Sequence, residues 1–222
     1  YHTYVVADWG FKDKTGILFG YFDFPNSLIV IEDEVLVDNM VSSDIADLIT
    51  DKMAELYPGK DRDEIFYYCD HDWNIMGEIR KKTGIEFRLV NKRVTTSVKE
   101  MGAPHNNFRD ASVNDLRMQF QQSAVRIHPR CVQLIYQLDN GIWDVDKVTK
   151  ERKGFSRSEQ LGHCDLLASL IYYNWSIKWQ DNPFPPEKPN EHEQFVPPHA
   201  REKEEAFGSI SRTRAHKGRR RR

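Results

Sequence analysis

The order of β-type and helical patterns in the first 90 residues constrains the fold more than any other feature of this chain. Three consecutive runs rich in β-branched and aromatic residues, at 2–8, 17–24 and 28–37, are separated by turn residues and predict three antiparallel strands. Beyond them, helical and strand patterns alternate. We expect helices over 42–56, 73–82, 112–123, 130–138 and 160–178, and strands over 65–69 and 86–90.

This order predicts an α/β fold with a mixed sheet, in which three antiparallel strands are extended by parallel strands and helices cover both faces. The run at 65–69 is continuously apolar, which is typical of a buried central strand. The first helix has Ser42 or Ser43 as its expected N-cap and Pro58-Gly59 as its end. The aromatic pairs Tyr67-Tyr68 and Tyr172-Tyr173 are predicted to be core residues rather than platforms for stacking bases.

The composition changes near residue 180 and divides the chain in two. Six prolines and few aliphatic residues lie between 181 and 199, which is typical of an extended linker. Residues 200–222 are charged and poor in aliphatic residues, which predicts a disordered C-terminal tail. We therefore expect one folded domain over 1–180, followed by a Pro-rich linker and basic tail over 181–222.

Charge is distributed unevenly along the chain. The segment 206–222 carries seven Lys and Arg residues and no acid, so its net charge is +7. Because the whole chain has a net charge of −2, the rest of the chain has a net charge of −9. An acidic body is unlike a simple DNA-binding module, which spreads Lys and Arg over its folded surface. Such a body needs an agent such as a divalent metal ion if it is to handle a polyanion. The tail could hold DNA phosphates, dock on an acidic partner, or be a remnant of processing or cloning.

Missing signals exclude several common classes of protein. The sequence contains neither the P-loop pattern of ATPases nor a G-x-G-x-x-G dinucleotide motif. No apolar run approaches the roughly 20 residues that cross a bilayer, and no signal-peptide pattern is present, so we expect no membrane association. Cys69, Cys131 and Cys164 are widely spaced and odd in number, which predicts buried free thiols in a reducing compartment.

Three aspartates lie where an α/β fold places its chemistry. Asp8 and Asp70 each end an apolar strand pattern, and the carboxyl ends of parallel neighbouring strands meet at one edge of a sheet. Asp165 lies near the start of the last helix, beside its aliphatic stripe. Carboxylates brought together there would repel one another, and a pair of Mg²⁺ or Mn²⁺ ions removes that cost. Two such ions, about 4 Å apart, can catalyse phosphodiester cleavage.

Other readings of these side chains remain open. An Asp at a strand end is often a turn or cap residue, and one near a helix N-terminus can simply favour the helix dipole. Asp72 competes with Asp70 as a metal ligand because residues two apart on a continuing strand face the same side, in which case His71 faces away and is structural. His163 cannot share a helix face with Asp165, but it could reach the site from a position just before the helix.

Three motifs, in this order and spacing, resemble the nuclease domain of the large terminase subunit of tailed bacteriophages. They are 4–11 (YVVADWGF), 66–70 (FYYCD) and 162–170 (GHCDLLASL). A further segment, 126–131 (RIHPRC), followed by Leu134-Ile135 and Trp143, is similar to the family's segment before the last acid. The resemblance covers about residues 1–179 and implies an RNase H-like fold. It also implies that three acids on two divalent metal ions cut concatemeric viral double-stranded DNA. By position these acids are Asp8, Asp70 and Asp165, and a histidine before the last acid, as in some members, favours His163.

The same resemblance implies a wider context. The family's full-length protein carries an N-terminal ATPase domain, which indicates that this chain is a C-terminal fragment. Its expected partners are double-stranded DNA, the portal protein and the small terminase subunit, and its expected location is the host cytoplasm. In the family the region 91–115 could border the DNA path, and the basic set here is Lys92, Arg93, Lys99, Arg109 and Arg117. A solvated loop is an equally good interpretation of that region.

Two other functions compete with a packaging endonuclease. One is a different RNase H-like nuclease, such as a junction resolvase or a ribonuclease that cleaves RNA–DNA hybrids. The other is a non-catalytic module that docks on a portal or on DNA, in which the acids are structural and the basic tail binds the partner. The sequence offers no arrangement of Ser or Cys nucleophiles that would suggest hydrolysis without a metal.

Overall fold

A computed structural model gives the fold of this chain and describes residues 1–10, 14–90, 106–145, 152–156 and 163–177. The chain separates into two units, Tyr1–Pro183 and Phe184–Arg222, and every described residue belongs to the first. The predicted linker and disordered tail lie outside the described residues. No helix in the described ranges is both long and apolar enough to cross a membrane.

Six of the described strands form one mixed sheet in the order β5-β4-β1-β2-β3-β6. The pairs β1-β2 and β2-β3 are antiparallel, whereas β4 joins β1, β5 joins β4 and β6 joins β3 in parallel. The predicted meander with parallel additions is therefore confirmed. The strands are β1 (His2–Asp8), β2 (Thr15–Asp23), β3 (Leu28–Val37), β4 (Ile65–Cys69), β5 (Arg88–Leu89) and β6 (Val125–Ile127).

The described helices and a small hairpin complete the fold. They are α1 (Ser42–Leu56), α2 (Trp73–Thr83), α3 (Asn106–Gln121), α4 (Val132–Asn140) and α5 (Asp165–Ser176), with a short 3-10 helix at Arg62–Glu64. The strands β7 (Trp143–Val145) and β8 (Arg152–Phe155) pair with each other in an antiparallel hairpin.

Alternating side chains on β1 divide the interior into two cores. Tyr4 and Val6 pack in a cluster with residues of α3, α4 and α5, while Val5 and Ala7 pack in a second cluster with residues of α1 and α2. Because β1 is buried on both faces, its sequence is continuously apolar rather than alternating. The prediction of helices on both faces of the sheet is confirmed.

The predicted and observed elements differ mainly at helix starts and short strands. Helix α1 begins at Ser42, with Val41 as N-cap and no side-chain cap, so the prediction of Ser42 or Ser43 in that role was wrong. The structure has α5 starting at Asp165, five residues after the predicted start. Strand β6 has only three residues and escaped prediction, because its pairing with β3 depends on a partner almost 100 residues away in the chain.

Glu34 of β3 supplies a cap for a helix that is remote in sequence. Its Oε1 accepts a hydrogen bond from the amide of Gln133 at 2.7 Å, and its Oε2 accepts one from the amide of Leu134 at 2.7 Å. These are amides of the first turn of α4, which have no partner inside the helix. Helix α4 has no side-chain cap from its own N-cap residue, Cys131. A carboxylate from the sheet therefore fixes where α4 begins.

We expect Glu34→Ala to lower the free energy of unfolding by about 1–2 kcal/mol, the usual cost of losing a helix cap. Urea unfolding followed by circular dichroism measures this change. The matched control is Glu86→Ala, since Glu86 and its partner Arg80 are both 66% exposed and such pairs are worth under about 1 kcal/mol. Equal stability of the two variants would contradict a capping role for Glu34.

Candidate active site

The parallel pairing of β1 and β4 brings two of the predicted acids to one edge of the sheet. Ala7 and Cys69 are the last pair in register, and the amide of Asp70 donates to the carbonyl of Ala7 at 3.3 Å. Asp8 and Asp70 therefore follow adjacent positions on neighbouring strands. This juxtaposition, predicted from the strand ends alone, is present in the structure.

Asp165 reaches the same edge through the close approach of α5 to β2. Gly16 of β2 is the register partner of Asp8. An ideal Cβ built on Gly16 would lie only 2.8 Å from the backbone carbonyl carbon of Asp165 and 2.9 Å from the amide nitrogen of Leu166. Only glycine leaves room for this contact, so the first turn of α5 rests directly on the strand position beside Asp8.

Tertiary hydrogen bonds hold the first turn of α5 in place. The hydroxyl of Ser169 is a shared donor to the carbonyl oxygens of Gly16 and Asp165, and its Oγ lies 2.9 Å from each of them. The buried Gln137 of α4 accepts a hydrogen bond from the amide of Leu167 at 3.0 Å through its Oε1. Cys164, the N-cap residue, has φ +61° and no side-chain cap bond, a backbone conformation that residues with a Cβ adopt rarely. Helix α5 thus begins where β2 and α4 fix it.

All three acids lie on the face of the sheet that α5 covers. Val6, two residues before Asp8 on β1, belongs to the core cluster under α5, and residues two apart on a strand share a face. A direct contact agrees with this, since the hydroxyl of Tyr172 on α5 donates to Oδ2 of Asp70 at 3.1 Å. Asp165 is only 4% exposed, whereas the Asp70 side chain is 25% exposed.

The residues that follow Asp70 have contacts that the sequence did not reveal. Because β4 ends at Cys69, His71 is not on a continuing strand and does not face away. Its amide donates to Oδ1 of Asp70 at 2.7 Å, and its ring Nδ1 lies 3.1 Å from the same oxygen. Asp72 is the N-cap of α2, and its Oδ1 accepts from the amides of Asn74 and Ile75 at 3.0 and 3.1 Å.

The acids at this edge contribute to the raised pKa values of two buried thiols. Burial is the main cause that raises the pKa of Cys69 to about 12, and the charges of Asp70, Asp72 and Asp8 contribute to this rise. Burial, together with the nearby charge of Asp165, raises the pKa of Cys164 to about 11. Both thiols therefore stay protonated and are not nucleophiles at neutral pH. All three cysteines are free and buried, as predicted.

In the described part of the chain, no three His, Cys, Asp or Glu side chains converge closely enough to form a ready-made metal site. The structure brings together the backbones that carry Asp8, Asp70 and Asp165. Three carboxylates at one edge are nevertheless a donor set of the kind that Mg²⁺ and Mn²⁺ prefer, and Gly16 allows the first turn of α5 to approach the strand position beside Asp8.

The remaining predicted residues stand as follows. His163 is half-buried in the turn that ends at Cys164, directly before α5. Arg109 lies on α3, and Arg117 on the same helix is exposed. Lys92, Arg93 and Lys99 lie outside the described residues, as does the side chain of Arg109.

Sequence reasoning missed Gly16, Tyr172 and Gln137, each of which contacts one of the acids or the helix turn that carries it. Spacing alone could have found Tyr172, since it is seven residues from Asp165 and so on the same helix face. No local signal marks Gly16 or Gln137, because their roles depend on elements far away in the chain. Arg88 was also missed; it is exposed on β5, in register with Tyr68 two residues before Asp70.

We expect Gly16→Ala to lower the free energy of unfolding by about 1–3 kcal/mol, the usual cost of overpacking, because backbone rather than a flexible side chain must move. Gly77→Ala is the matched control. A Cβ at Gly77, within α2, meets no atom within 4 Å, so alanine should stabilise the helix by up to about 1 kcal/mol. Thermal and urea unfolding measure both changes. A Gly16→Ala protein as stable as the parent would contradict the close approach of α5 to β2.

Comparison with known proteins shows what this architecture is similar to. No protein-family model matches the sequence, and no curated protein matches it at a significant level. Among solved structures, the large terminase of one thermophilic bacteriophage is similar, with a TM-score of 0.58 and 11% identity over 77% of this chain. The large terminase nuclease of another thermophilic phage, G20c, has a TM-score of 0.51 and 14% identity, covering 77% of this chain and 79% of its own. The P22 large terminase nuclease domain has a TM-score of 0.52 and 11% identity, covering 78% and 81%.

This chain spans 38% of the first of these large terminases. At these identities the comparisons concern the fold. The resemblance that the motifs indicated is confirmed at that level: the chain has the RNase H-like fold of large terminase nuclease domains.

Proposed function

We propose that this domain is a metal-dependent endonuclease that cuts concatemeric viral double-stranded DNA during genome packaging. The observation that carries the proposal is the placement of Asp8, Asp70 and Asp165 on adjoining backbone positions at one edge of the sheet. The fold shared with large terminase nuclease domains supports the same conclusion. Neither feature alone would suffice, because one fold can host many functions.

The chemistry of the acids favours divalent metal ions, Mg²⁺ or Mn²⁺, and two of them. A carboxylate as buried as Asp165 is costly unless its charge is compensated, and the neighbouring acids at this edge increase that cost. Two divalent ions held by such carboxylates would supply the activation of a water molecule and the stabilisation of the leaving oxygen in phosphodiester cleavage. The metal and its stoichiometry are part of this proposal.

The protein's own residues have distinct roles in this proposal. Asp8 at the end of β1, Asp70 directly after β4 and Asp165 at the start of α5 would hold the metal ions. We assign Asp70 rather than Asp72 as the ligand, because Asp70 lies beside Ala7 of β1 and contacts α5 through Tyr172, whereas Asp72 caps α2. His163, in the turn before α5, is the proposed group that takes up or releases a proton near neutral pH.

Basic residues on β5 and in the sequence that follows it suit the phosphate backbone of DNA. Arg88 is exposed on β5, and the amide of Val90 donates to the carbonyl of Cys69 at 2.9 Å. The chain therefore leaves the acid edge at Val90 and enters the segment that contains Lys92, Arg93 and Lys99. We propose that this set, with Arg109, neutralises DNA phosphates and offsets the negative charge of the body.

The wider setting follows from the proposed function. On a full-length protein, an ATPase domain would move the DNA that this domain cuts, and the portal protein and small terminase subunit would be partners. The place of action would be the cytoplasm of an infected host. The basic tail could then serve either DNA or an acidic partner.

We expect Asp8→Asn, Asp70→Asn and Asp165→Asn each to lower cleavage by at least about 100-fold, because each removes a charged metal ligand. Nicking and linearisation of plasmid DNA in Mn²⁺ or Mg²⁺ measure the rate. Asp51→Asn, on the exposed side of α1, is the matched control and should cut like the parent. Retained activity in Asp165→Asn would count against this active site, and a preference for four-way junctions or RNA–DNA hybrids over plasmid would indicate a different nuclease of this fold.

We expect Mn²⁺ to raise the melting temperature of the protein, because an ion that binds only the folded state stabilises it by about 2.7 kcal/mol at 100 times its dissociation constant. Scanning calorimetry with and without the ion measures the shift, and Asp165→Asn should reduce it. A protein that shows neither the shift nor any cleavage would instead fit a non-catalytic docking module.

A further inference from the structure

We propose that Tyr172 is a positioning residue, which fixes the carboxylate of Asp70 through its phenolic hydroxyl and thereby sets the affinity of the acid edge for divalent metal ions. This inference rests on the proposed function. It concerns a side chain that the sequence assigned to the core and that no expectation placed near the acids.

The contacts of Asp70 show a carboxylate held from two directions. The phenolic hydroxyl of Tyr172 donates to Oδ2 at 3.1 Å. The amide of His71 donates to Oδ1 at 2.7 Å, and the His71 ring nitrogen Nδ1 is 3.1 Å from the same oxygen. A single donor would leave the carboxylate free to rotate about its last bond. Donors on both oxygens define the plane of the carboxylate.

Helix geometry explains how Tyr172 reaches this position. Asp165, Ser169 and Tyr172 are spaced by four and three residues, so they lie on one face of α5. The first two contact Gly16 through backbone and hydroxyl. Helical side chains lean towards the N-terminus, so the long phenol of Tyr172 extends from the second turn back towards the acid edge. One helix face therefore supplies the third acid and orients the second.

The Tyr172 ring is itself fixed, so its hydroxyl has a defined position. The ring packs against the core cluster under α5, and its centroid lies 5.9 Å from that of Trp175. Groups that orient a metal ligand by hydrogen bonding typically change metal affinity or activity by about 10- to 100-fold when removed. Removal of the hydroxyl alone, with the ring retained, isolates this effect.

The neighbouring residue offers a matched control on the same helix. Tyr173 is fully buried, and burial raises its pKa well above the ordinary value. Its hydroxyl approaches β2 at Gly20, where it lies 3.0 Å from an ideal Cβ position, and it faces away from the acid edge. Tyr172→Phe and Tyr173→Phe therefore make the same chemical change one residue apart, and only the first removes a donor to Asp70.

The test is a Mn²⁺ titration of the full 222-residue chain, followed by the electron paramagnetic resonance signal of free Mn²⁺ and by calorimetry. We expect Tyr172→Phe to weaken Mn²⁺ binding by about 10- to 100-fold, with a metal-free melting temperature close to that of the parent. Tyr173→Phe should bind Mn²⁺ like the parent, and Asp70→Asn sets the level for loss of the ligand itself.

The outcomes separate this inference from the proposed function. If the parent binds Mn²⁺ and Tyr172→Phe binds it equally well, the positioning role is wrong while the nuclease proposal stands. If Tyr172→Phe and Tyr173→Phe weaken binding equally, the effect is general packing and the positioning role is again wrong. If the parent binds no Mn²⁺ and cuts no DNA, both proposals fail. Should Tyr172→Phe prove too unstable to measure, Tyr172→Trp, which keeps an aromatic side chain but cannot place a hydroxyl at Oδ2, must show the same loss.

Discussion

The contact between the first turn of α5 and Gly16 is the constraint on which the rest of this site depends. Layers of secondary structure are normally held about 10 Å apart by the side chains between them. Here the first turn of α5 approaches so closely that a Cβ on Gly16 would lie within 2.9 Å of three backbone atoms. These are the carbonyl carbon and oxygen of Asp165 and the amide nitrogen of Leu166. The approach places a residue of α5 beside the end of β1. Without it, Asp165 would be an ordinary acid in the first turn of a helix.

The buried face beneath α5 makes this approach favourable. Leu166 and Leu170 of α5 are fully buried against residues of β1, β2 and β4, and burial of each leucine contributes roughly 1.5–3 kcal/mol. The same helix carries the buried polar residues Ser169 and Asn174, which form hydrogen bonds to Gly16 and to Asp115 of α3. Apolar burial thus holds α5 on the sheet, and the polar contacts determine where along the sheet it stops.

Local sequence determines much of this fold and little of the fine geometry of the site. The strand and helix patterns of the first 90 residues are local, so the meander, the parallel β1-β4 pair and the edge shared by Asp8 and Asp70 could all be predicted. The start of α5 could not, because Gln137 and Gly16 set it from 30 and about 150 residues away. The start of α4 depends in the same way on Glu34, about 100 residues away. The condition under which His71 would face away is not met, because β4 ends at Cys69 and the His71 ring lies beside Asp70.

The backbone positions of the three acids are already set by the fold, so a metal site at this edge would require only that their side chains become ordered. The positions of Asp8 and Asp70 are fixed by strand register, and that of Asp165 by a glycine contact and two hydrogen-bonded side chains. What remains adjustable is the rotation of three short side chains, which have only two torsions each and lose little conformational entropy when ordered. A loop-built site would have to order its backbone as well, at about 1–2 kcal/mol per residue. A site on two strands and a helix therefore places most of its organisation in the folded core, and hydrogen bonds such as that from Tyr172 to Asp70 reduce what is left.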